Sequence, residues 1–226
     1  ILKLYAAFDS SKFDLNQESV NSPNKVRVDL NNNNFYLNTS YKGGFGNNWQ
    51  VTTGLSYGYS KNKLGLDLDK LNNDENASHL KFKLRKSISQ HVKLAFGTDY
   101  FITRFNEDFT PNSGFGGTSG YNSSIAAAFA EGDILFTKNF AAKVGVRASY
   151  NDLLDETAVA PRVSLAYKLN KTSQFSFAYG HFTQAPSVDF IKYSKMHQFE
   201  SEKALHYILN FQYNNDRQTF RAEAYY

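Results

Sequence analysis

The stretch HVKLAFGTDYFITR at residues 91–104 decides the fold class of this chain. Its larger apolar side chains fall mostly on even positions, namely Val92, Leu94, Phe96, Tyr100 and Ile102, and small, polar or charged side chains fall on odd ones, namely Lys93, Ala95, Gly97, Asp99 and Thr103. A β-strand sends successive side chains to opposite faces. The alternation therefore predicts a sheet with one apolar face and one polar face.

The same alternation, bounded by turn-forming residues, recurs along the whole chain. It predicts eleven strands at 1–8, 34–42, 49–60, 78–88, 91–105, 121–137, 140–151, 159–169, 173–184, 200–214 and 217–226. Several exceed the ~9–11 residues that cross a bilayer, so we expect them to project beyond it. In 121–137 the apolar parity changes, which predicts a β-bulge near Glu131-Gly132-Asp133.

Composition indicates which face is buried. The mean hydropathy of the 226 residues is negative, and no window approaches the roughly 20 apolar residues of a membrane-spanning helix. Many positions on the polar face are small or neutral, including Gly54, Ser56, Ala95 and Gly97. This pattern favours a face that lines a lumen and an apolar face that meets lipid, as in an outer-membrane barrel. A soluble all-β protein is the alternative.

The connections between strands also favour a membrane barrel. Tight turns at 89–90, 137–139, 169–171 and 214–216, with a slightly longer one at 43–48, alternate with long polar segments at 9–33, 61–77, 106–120, 152–158 and 185–199. Transmembrane barrels have short periplasmic turns and long extracellular loops. Tyr and Trp near the predicted strand ends, from Tyr41 and Trp49 to Tyr213 and Tyr226, would form interfacial girdles.

The fold class is therefore all-β: an antiparallel up-and-down transmembrane β-barrel, present as an incomplete segment of about eleven strands. Single-chain bacterial barrels have even strand counts, and an open edge would leave unpaired backbone groups in lipid. We expect residues 1–226 to be a partial barrel domain without a plug domain, cut from a longer protein. The chain has no Cys, which removes disulfides and thiolate metal sites, and its net charge of +4 is no nucleic-acid signature.

The stretch APRVSLAYKLNKTSQFSFAYGHFTQAP at 160–186 resembles the barrel of TonB-dependent outer-membrane receptors. That family often has a Pro-Arg-x-Ser-x-x-Tyr strand, an Asn-containing turn and an Ala-Tyr-Gly strand. FESEKALHYILNFQY at 199–213 is similar to a second family strand through Glu202, Lys203, Tyr207 and Leu209, with departures at Ser201 and Asn210. The N-terminal style, from Leu4-Tyr5 to Phe13-Asp14-Leu15, resembles receptors of Bacteroidetes-type bacteria.

The resemblance implies a barrel of about 22 strands around a plug, a TonB contact through a region absent from this chain, and import of ferric chelates, cobalamin, glycans or peptides. It places the chain in the bacterial outer membrane, in contact with lipid. The sequence leaves room for a surface lipoprotein on the loops and predicts no nucleic-acid partner. A passive porin or channel, and a non-transporting barrel subunit of a surface complex, are the alternative functions.

Basic residues are the most distinctive candidates for ligand binding. His79, Lys81, Lys83 and Arg85 form a ladder at lumen-facing parity, which Lys93, Lys143, Arg147, Arg162, Lys168 and Arg221 share. We predict Lys81, Lys83, Arg85, Lys93, Arg147, Arg162 and Arg221 to bind an anionic ligand, because a positive wall concentrates anions. The alternative is that these charges pair with acids on a plug or on neighbouring strands. Lys86, at lipid-facing parity, would snorkel to the periplasmic interface.

The long loops supply a second set of candidates. Phe115, Phe190, Tyr193 and His197 would offer aromatic contact surface to a ligand, or simply pack the loops onto the rim. Acids at 67–75 lack the spacing of a calcium loop, and the histidines show no metal-binding pattern. No nucleophile elbow or phosphate-binding loop is present. We therefore expect no enzyme activity, no cofactor and no metal.

Overall fold

The structure is a computed structural model that describes residues 1–18, 25–112, 114–187, 190–191 and 199–226. Eleven antiparallel strands form one sheet, in which each strand pairs with the next along the chain. The predicted strand number and the up-and-down order are thus confirmed. The sheet is open, with β1 and β11 at its edges. No helix in the described ranges is long and apolar enough to span a membrane.

The strands are longer than alternation alone predicts. They are β1 Leu2–Gln17, β2 Val26–Phe45, β3 Trp49–Leu66, β4 Asp69–Ser87, β5 Val92–Thr110, β6 Gly117–Leu135, β7 Phe140–Asn151, β8 Glu156–Lys168, β9 Ser173–Gln184, β10 Glu202–Asn214 and β11 Thr219–Tyr225. With 20 residues, β2 extends about 66 Å, more than twice the ~25 Å apolar band of a membrane barrel.

The two faces of the sheet differ in curvature and chemistry. Two ion pairs, Arg147–Asp99 and Arg85–Asp133, skip a strand on one face. A cavity of about 560 Å³ on that face is lined by residues from β4 to β10. The sheet therefore curves around this side, here called the inner face, and the opposite side is the outer face. The predicted small and neutral positions, such as Gly54 and Gly97, lie on the inner face by register.

The outer face carries the apolar belt. Exposed apolar side chains follow it from strand to strand, among them Leu4, Leu55, Leu80, Phe82, Leu94, Phe96, Val144, Val146, Val159, Leu205 and Leu209. Trp49 and Tyr59, near the two ends of this belt, are ten residues apart on β3. That separation is about 33 Å of strand, or about 25 Å in height at a tilt of about 40°. The belt thus has the thickness expected of a lipid-facing band.

Aromatic residues border the belt, as predicted. Ten Tyr and Trp residues near the predicted strand ends lie on the outer face by register: Tyr41, Trp49, Tyr57, Tyr59, Tyr100, Tyr150, Tyr167, Tyr179, Tyr213 and Tyr226. At the border of the belt nearer the short turns, Trp49 stacks on Phe45 and contacts Phe96 edge-on. Lys86 places its Nζ 4.9 Å from the Trp49 ring. Its ammonium thus lies at the border of the belt and not at its centre.

The predicted long loops are mostly strand. The segment 61–77 continues β3 and β4 to a tight turn at Asp67-Leu68, where Asp67 adopts a φ of 56°. In their described parts, the segments 9–33 and 106–120 likewise extend their hairpins, whereas 152–155 forms a turn. The prediction of loops failed here because polar residues occupy both faces above the belt, so the alternation that marks a strand disappears. This end of the sheet is called the tall end.

The opposite, short-turn end is organised by side-chain oxygens. Ser89 Oγ accepts hydrogen bonds from the backbone of His91 and Val92. The Thr137 hydroxyl and the amide oxygens of Asn170 and Asn215 accept equivalent bonds in their own turns. Side chains that mimic backbone acceptors favour tight turns. These turns therefore fix the register of the hairpins that they join.

The predicted bulge at 131–133 is wrong. The pairing of β5 with β6 runs without interruption from Val92↔Ile134 to Phe109↔Gly117. Phe129 therefore lies on the inner face, where a Cβ built on Gly97 would come within 2.9 Å of its ring. The parity change in the sequence has a simpler cause: the large apolar side chains of Ile125 and Phe129 point inward, the latter over a glycine, while the small residues Ala128 and Ala130 face outward.

Candidate functional site

The basic ladder of β4 lies on the inner face at the level of the apolar belt. His79, Lys81, Lys83 and Arg85 stand beside Ser56, Gly54, Thr52 and Gln50 of β3. Because these neighbours are small or neutral, the long cationic side chains can spread over the sheet. The remaining predicted positions on strands, Lys93, Arg147, Arg162 and Arg221, face the same side by register.

Asp99 on β5 is the centre of the ladder. Its carboxylate lies 2.6 Å from Arg147 Nη1, 3.2 Å from His79 Nε2 and 4.0 Å from Lys81 Nζ. Only 6% of Asp99 is exposed, and His79 also stacks on Phe101 at 3.9 Å between ring centroids. A carboxylate with several cationic partners is satisfied despite burial. This cluster therefore fixes the positions of His79 and Lys81 in the ladder and of Arg147 on β7.

The lower part of the ladder is paired with acids of β6. Lys83 Nζ lies 3.6 Å from Glu131 and 5.6 Å from the centroid of the Phe129 ring. Asp133 accepts a hydrogen bond of 2.9 Å from Arg85 and also pairs with Lys143 at 3.2 Å. Neighbouring strands thus supply acids, as the alternative interpretation proposed.

The pairing leaves an excess of positive charge. Five cations (Lys81, Lys83, Arg85, Lys143 and Arg147) share three carboxylates (Asp99, Glu131 and Asp133). Within the described ranges Lys93 has no ion pair and lines the 560 Å³ cavity with Arg85 and Lys143. Arg162 lies over the Phe182 ring at 4.8 Å, and Arg221 pairs with Glu223 at the sheet edge. The inner face can therefore still attract an anionic group.

The predicted loop residues are less organised. Phe115 is 92% exposed and Phe190 is also exposed. Tyr193 and His197 lie outside the described residues. The loop site formed by these four residues therefore stays a prediction. Three of the acids of 67–75 accept hydrogen bonds: Asp67 from the Arg27 N–H and Asp69 from the Asn112 N–H, both at 2.7 Å, and Asp74 from the Asn106 side-chain amide at 3.2 Å. Over the described ranges, no group of three potential ligands could hold a metal ion.

The inner face of the tall end was missed by the sequence reasoning. Asn32 and Asn34 of β2, Asn62 of β3 and Asn73 of β4 all lie there by register. Asn62 donates to Asn73 at 3.0 Å, and Ser60 donates to Asn34 at 2.8 Å. The run of four asparagines at 31–34 was a visible signal. It could not be interpreted without the register that sets alternate amides on the inner face.

Glu156, at the tall end of β8, ties the beginning of β10 to the sheet. Its Oε2 accepts a 2.7 Å hydrogen bond from the Ser201 N–H, and its Oε1 lies 3.4 Å from Lys203 Nζ. The bond from the Ser201 backbone, followed by those from the Ser201 and Lys203 side chains, lowers the pKa of the Glu156 carboxyl. The contact bridges over β9 and fixes the position of Ser201, directly before β10.

Sequence comparison identifies the type of barrel. The family model described as "TonB dependent receptor-like, beta-barrel" matches residues 4–226. No curated protein matches the chain.

Solved structures give the same fold. The chain is similar to the outer membrane transporter YddB of Escherichia coli, with a TM-score of 0.80, 12% identity, and coverage of 98% of this chain and 37% of that one. The alcaligin outer membrane receptor FauA of Bordetella pertussis gives a TM-score of 0.75, 13% identity, and coverage of 99% and 40%. The ferric yersiniabactin uptake receptor FyuA of Yersinia pestis gives 0.73, 12%, and 99% and 42%. The chain spans about two fifths of each.

Proposed function

Because the chain belongs to the TonB-dependent receptor-like β-barrel family, we propose that it forms part of an outer-membrane receptor that imports a ligand with energy supplied through TonB. The observation that carries the proposal is the division of the sheet. An outer apolar belt about 25 Å tall, bordered by aromatic residues, faces lipid. The inner face carries charges, amides and cavities that an enclosed lumen requires.

The proposal includes partners and a location. The receptor lies in the bacterial outer membrane and contacts its lipid, and TonB binds a region outside this chain. A surface lipoprotein docks on the tall end, and the source is a Bacteroidetes-type bacterium. The chain is not catalytic. The solved relatives are described as receptors for alcaligin and ferric yersiniabactin and as an outer membrane transporter, which supports a role in nutrient uptake.

The excess positive charge of the basic ladder gives the ladder a role in uptake. Lys81, Lys83 and their neighbours attract anionic groups that pass the inner face, whether these belong to a ligand or to another part of the receptor. A ferric chelate, another anionic nutrient and a glycan are the ligand classes under consideration. The predicted binding residues Lys81, Lys83, Arg85, Lys93, Arg147, Arg162 and Arg221 remain proposals in this role.

The experiment compares three strains: the parent, a deletion of the complete receptor gene, and a deletion of TonB. Growth is measured on ferric chelates as the only iron source and on glycans as the only carbon source. We expect one condition in which both deletions lose growth. Loss in the receptor deletion with normal growth of the TonB deletion would favour a passive channel, which planar-bilayer conductance would then confirm.

The basic ladder is tested in the same strains. Lys81→Glu combined with Lys83→Glu should reduce uptake with normal amounts of receptor in the outer membrane. The matched control is Lys61→Glu with Lys63→Glu, because these lysines of β3 lie on the outer face at the tall end by register. Unchanged uptake in the ladder variant would remove the ladder from the mechanism.

A further inference from the structure

The inner wall of the tall end, formed by β1–β6 above His79, differs in chemistry from the basic ladder below it. The register gives its polar inward positions, which include Asp9, Ser11, Asn32, Asn34, Ser60, Asn62, Asn73, Glu75, Glu107 and Ser119. Apolar inward positions, among them Phe13, Leu30, Leu64, Leu71 and Phe105, lie on the same wall. Over the described residues of these strands, the inward positions above His79 include no Lys or Arg. The lysines at this height, such as Lys61 and Lys63, face outward. The wall is therefore rich in amides, hydroxyls and carboxylates.

Two tyrosines stand at the base of this wall. Tyr5 and Tyr36 lie on the inner face in contact with each other, with ring centroids 6.1 Å apart. They are 59% and 42% exposed, respectively. An exposed aromatic pair on the inside of a receptor has no lipid to contact, unlike the girdle tyrosines. Its rings present flat apolar surface to whatever enters the lumen.

The surface beside Tyr36 is a flat floor. In the paired row that contains Tyr36, its neighbours are Ala7, Gly58 and Ala77. A Cβ built on Gly58 would approach the Tyr36 ring and the Ala77 carbonyl only to 4.0 Å, so the space above the glycine is open. A ring-shaped ligand group can therefore lie on this floor against the tyrosine.

Hydrogen-bonding groups surround the floor on both sides. Above it, Ser60, Asn34 and Asp9 form a chain in which Ser60 donates to Asn34 and Asn34 donates to Asp9. Below it, Asn38 donates to the Tyr36 hydroxyl at 3.2 Å. Below the floor lies a cavity of about 200 Å³ that is lined by Ser40, Thr52, Gly54 and Ser56 and reaches His79 and Lys81 of the ladder. The arrangement joins a flat apolar surface to a rim of hydrogen-bond donors and acceptors.

We propose that this part of the inner wall binds an uncharged, hydroxyl-rich ligand, namely a glycan or glycoside, with one sugar ring stacked on Tyr36 over the Gly58–Ala77 floor. The C–H face of a sugar ring matches an aromatic ring, and its hydroxyls match amides, which donate and accept, and carboxylates, which accept. The Asp9 carboxylate, which accepts from Asn34 at the edge of the floor, disfavours an anionic chelate there. The inference rests on the proposed receptor function and names the substrate class of that receptor.

The test is calorimetric titration of the purified complete receptor. The probes are neutral hexasaccharides of glucose, mannose, galactose and xylose, and ferric tris-catecholate serves as the anionic probe. We expect at least one hexasaccharide to bind and the anionic probe not to. Tyr36→Ala should weaken the hexasaccharide about tenfold, which corresponds to the loss of one stacking contact. Gly58→Val should weaken it as much, because the side chain covers the floor.

Phe35→Ala is the matched control, since Phe35 neighbours Tyr36 on β2 and faces outward. Its affinity for the hexasaccharide should be unchanged. The inference is overturned if no hexasaccharide binds, if Tyr36→Ala and Phe35→Ala weaken binding equally, or if ferric tris-catecholate binds and competes with the sugar at Tyr36. These outcomes are independent of the TonB test, which measures energy coupling and not ligand class.

Discussion

Arg147 on β7 reaches across β6 to donate a 2.6 Å hydrogen bond to Asp99 on β5. Strand β6 lies between the two residues, and its small, buried Ala127 pairs with Asp99. A charge pair that skips a strand requires both the curvature of the sheet and a small residue between the partners. This contact therefore reports directly on the geometry of the inner face.

The first prediction concerns that pair. Asp99→Asn removes the charge that Arg147, Lys81 and His79 share, and we expect it to lower the free energy of unfolding by about 1–3 kcal/mol. The measurement is guanidinium-induced unfolding in detergent micelles. Asp133→Asn is the control, because its pair is about one-third exposed and should cost less than about 1 kcal/mol. Equal losses would show that burial of Asp99 is unimportant.

The second prediction tests the faces of β4 with neighbouring residues. Leu84→Lys places a charge on the lipid-facing belt, inside the border marked by Lys86, and should cost more than about 1 kcal/mol, because the penalty rises from about 0–1 kcal/mol at the interface to about 2–4 kcal/mol at the membrane centre. Lys83→Leu removes one inner, half-exposed ion pair with Glu131 and should cost less than about 1 kcal/mol. Heat-dependent mobility in gel electrophoresis measures the assembled fraction of each variant. Better assembly of Leu84→Lys than of Lys83→Leu would reverse the assignment of the faces.

The third prediction concerns the depth of Trp49, the only tryptophan of the chain. Its contacts with Phe45 and Lys86 place it at the lower border of the belt. The fluorescence difference between the receptor and its Trp49→Phe variant isolates this residue. Lipids brominated near the headgroup should quench it more strongly than lipids brominated near the chain ends. Stronger quenching from the chain ends would place Trp49 at the membrane centre and contradict the proposed belt.

The fourth prediction is a pH dependence at Glu156. Its pKa is lowered by partners that prefer the carboxylate. The resulting stabilisation is therefore complete above the unfolded-state pKa, about 4.3, and is lost as the pH falls through the lower folded-state value. Hydrogen exchange at the Ser201 amide, corrected for intrinsic rates, should rise at low pH.

Glu156→Gln should raise that exchange already at neutral pH and remove most of its pH dependence. Glu200→Gln is the control, because Glu200 contacts only Lys203 and is highly exposed. An unchanged exchange rate in Glu156→Gln would mean that the carboxylate does not hold this segment.

Alternation predicted the strand number and both faces because lipid and lumen impose opposite chemistry on neighbouring residues, as at Lys93 and Leu94. It failed where that contrast ends. Above the belt, water meets both faces, so the strands through Asn31–Asn34 and 61–77 looked like loops. It also failed at Phe129, where an apolar side chain faces inward because Gly97 leaves space for it. The Tyr36 floor and the Asp99 cluster required the register, which sequence spacing within one strand cannot supply.

The strictly consecutive order of the strands has a kinetic consequence. Each strand pairs with the strand that precedes it in the sequence, so each pairing step closes a short loop and carries a small entropic penalty. Contact order stays low despite the size of the sheet, which favours rapid assembly. Within these eleven strands, no pairing step therefore has to bring together distant parts of the polypeptide.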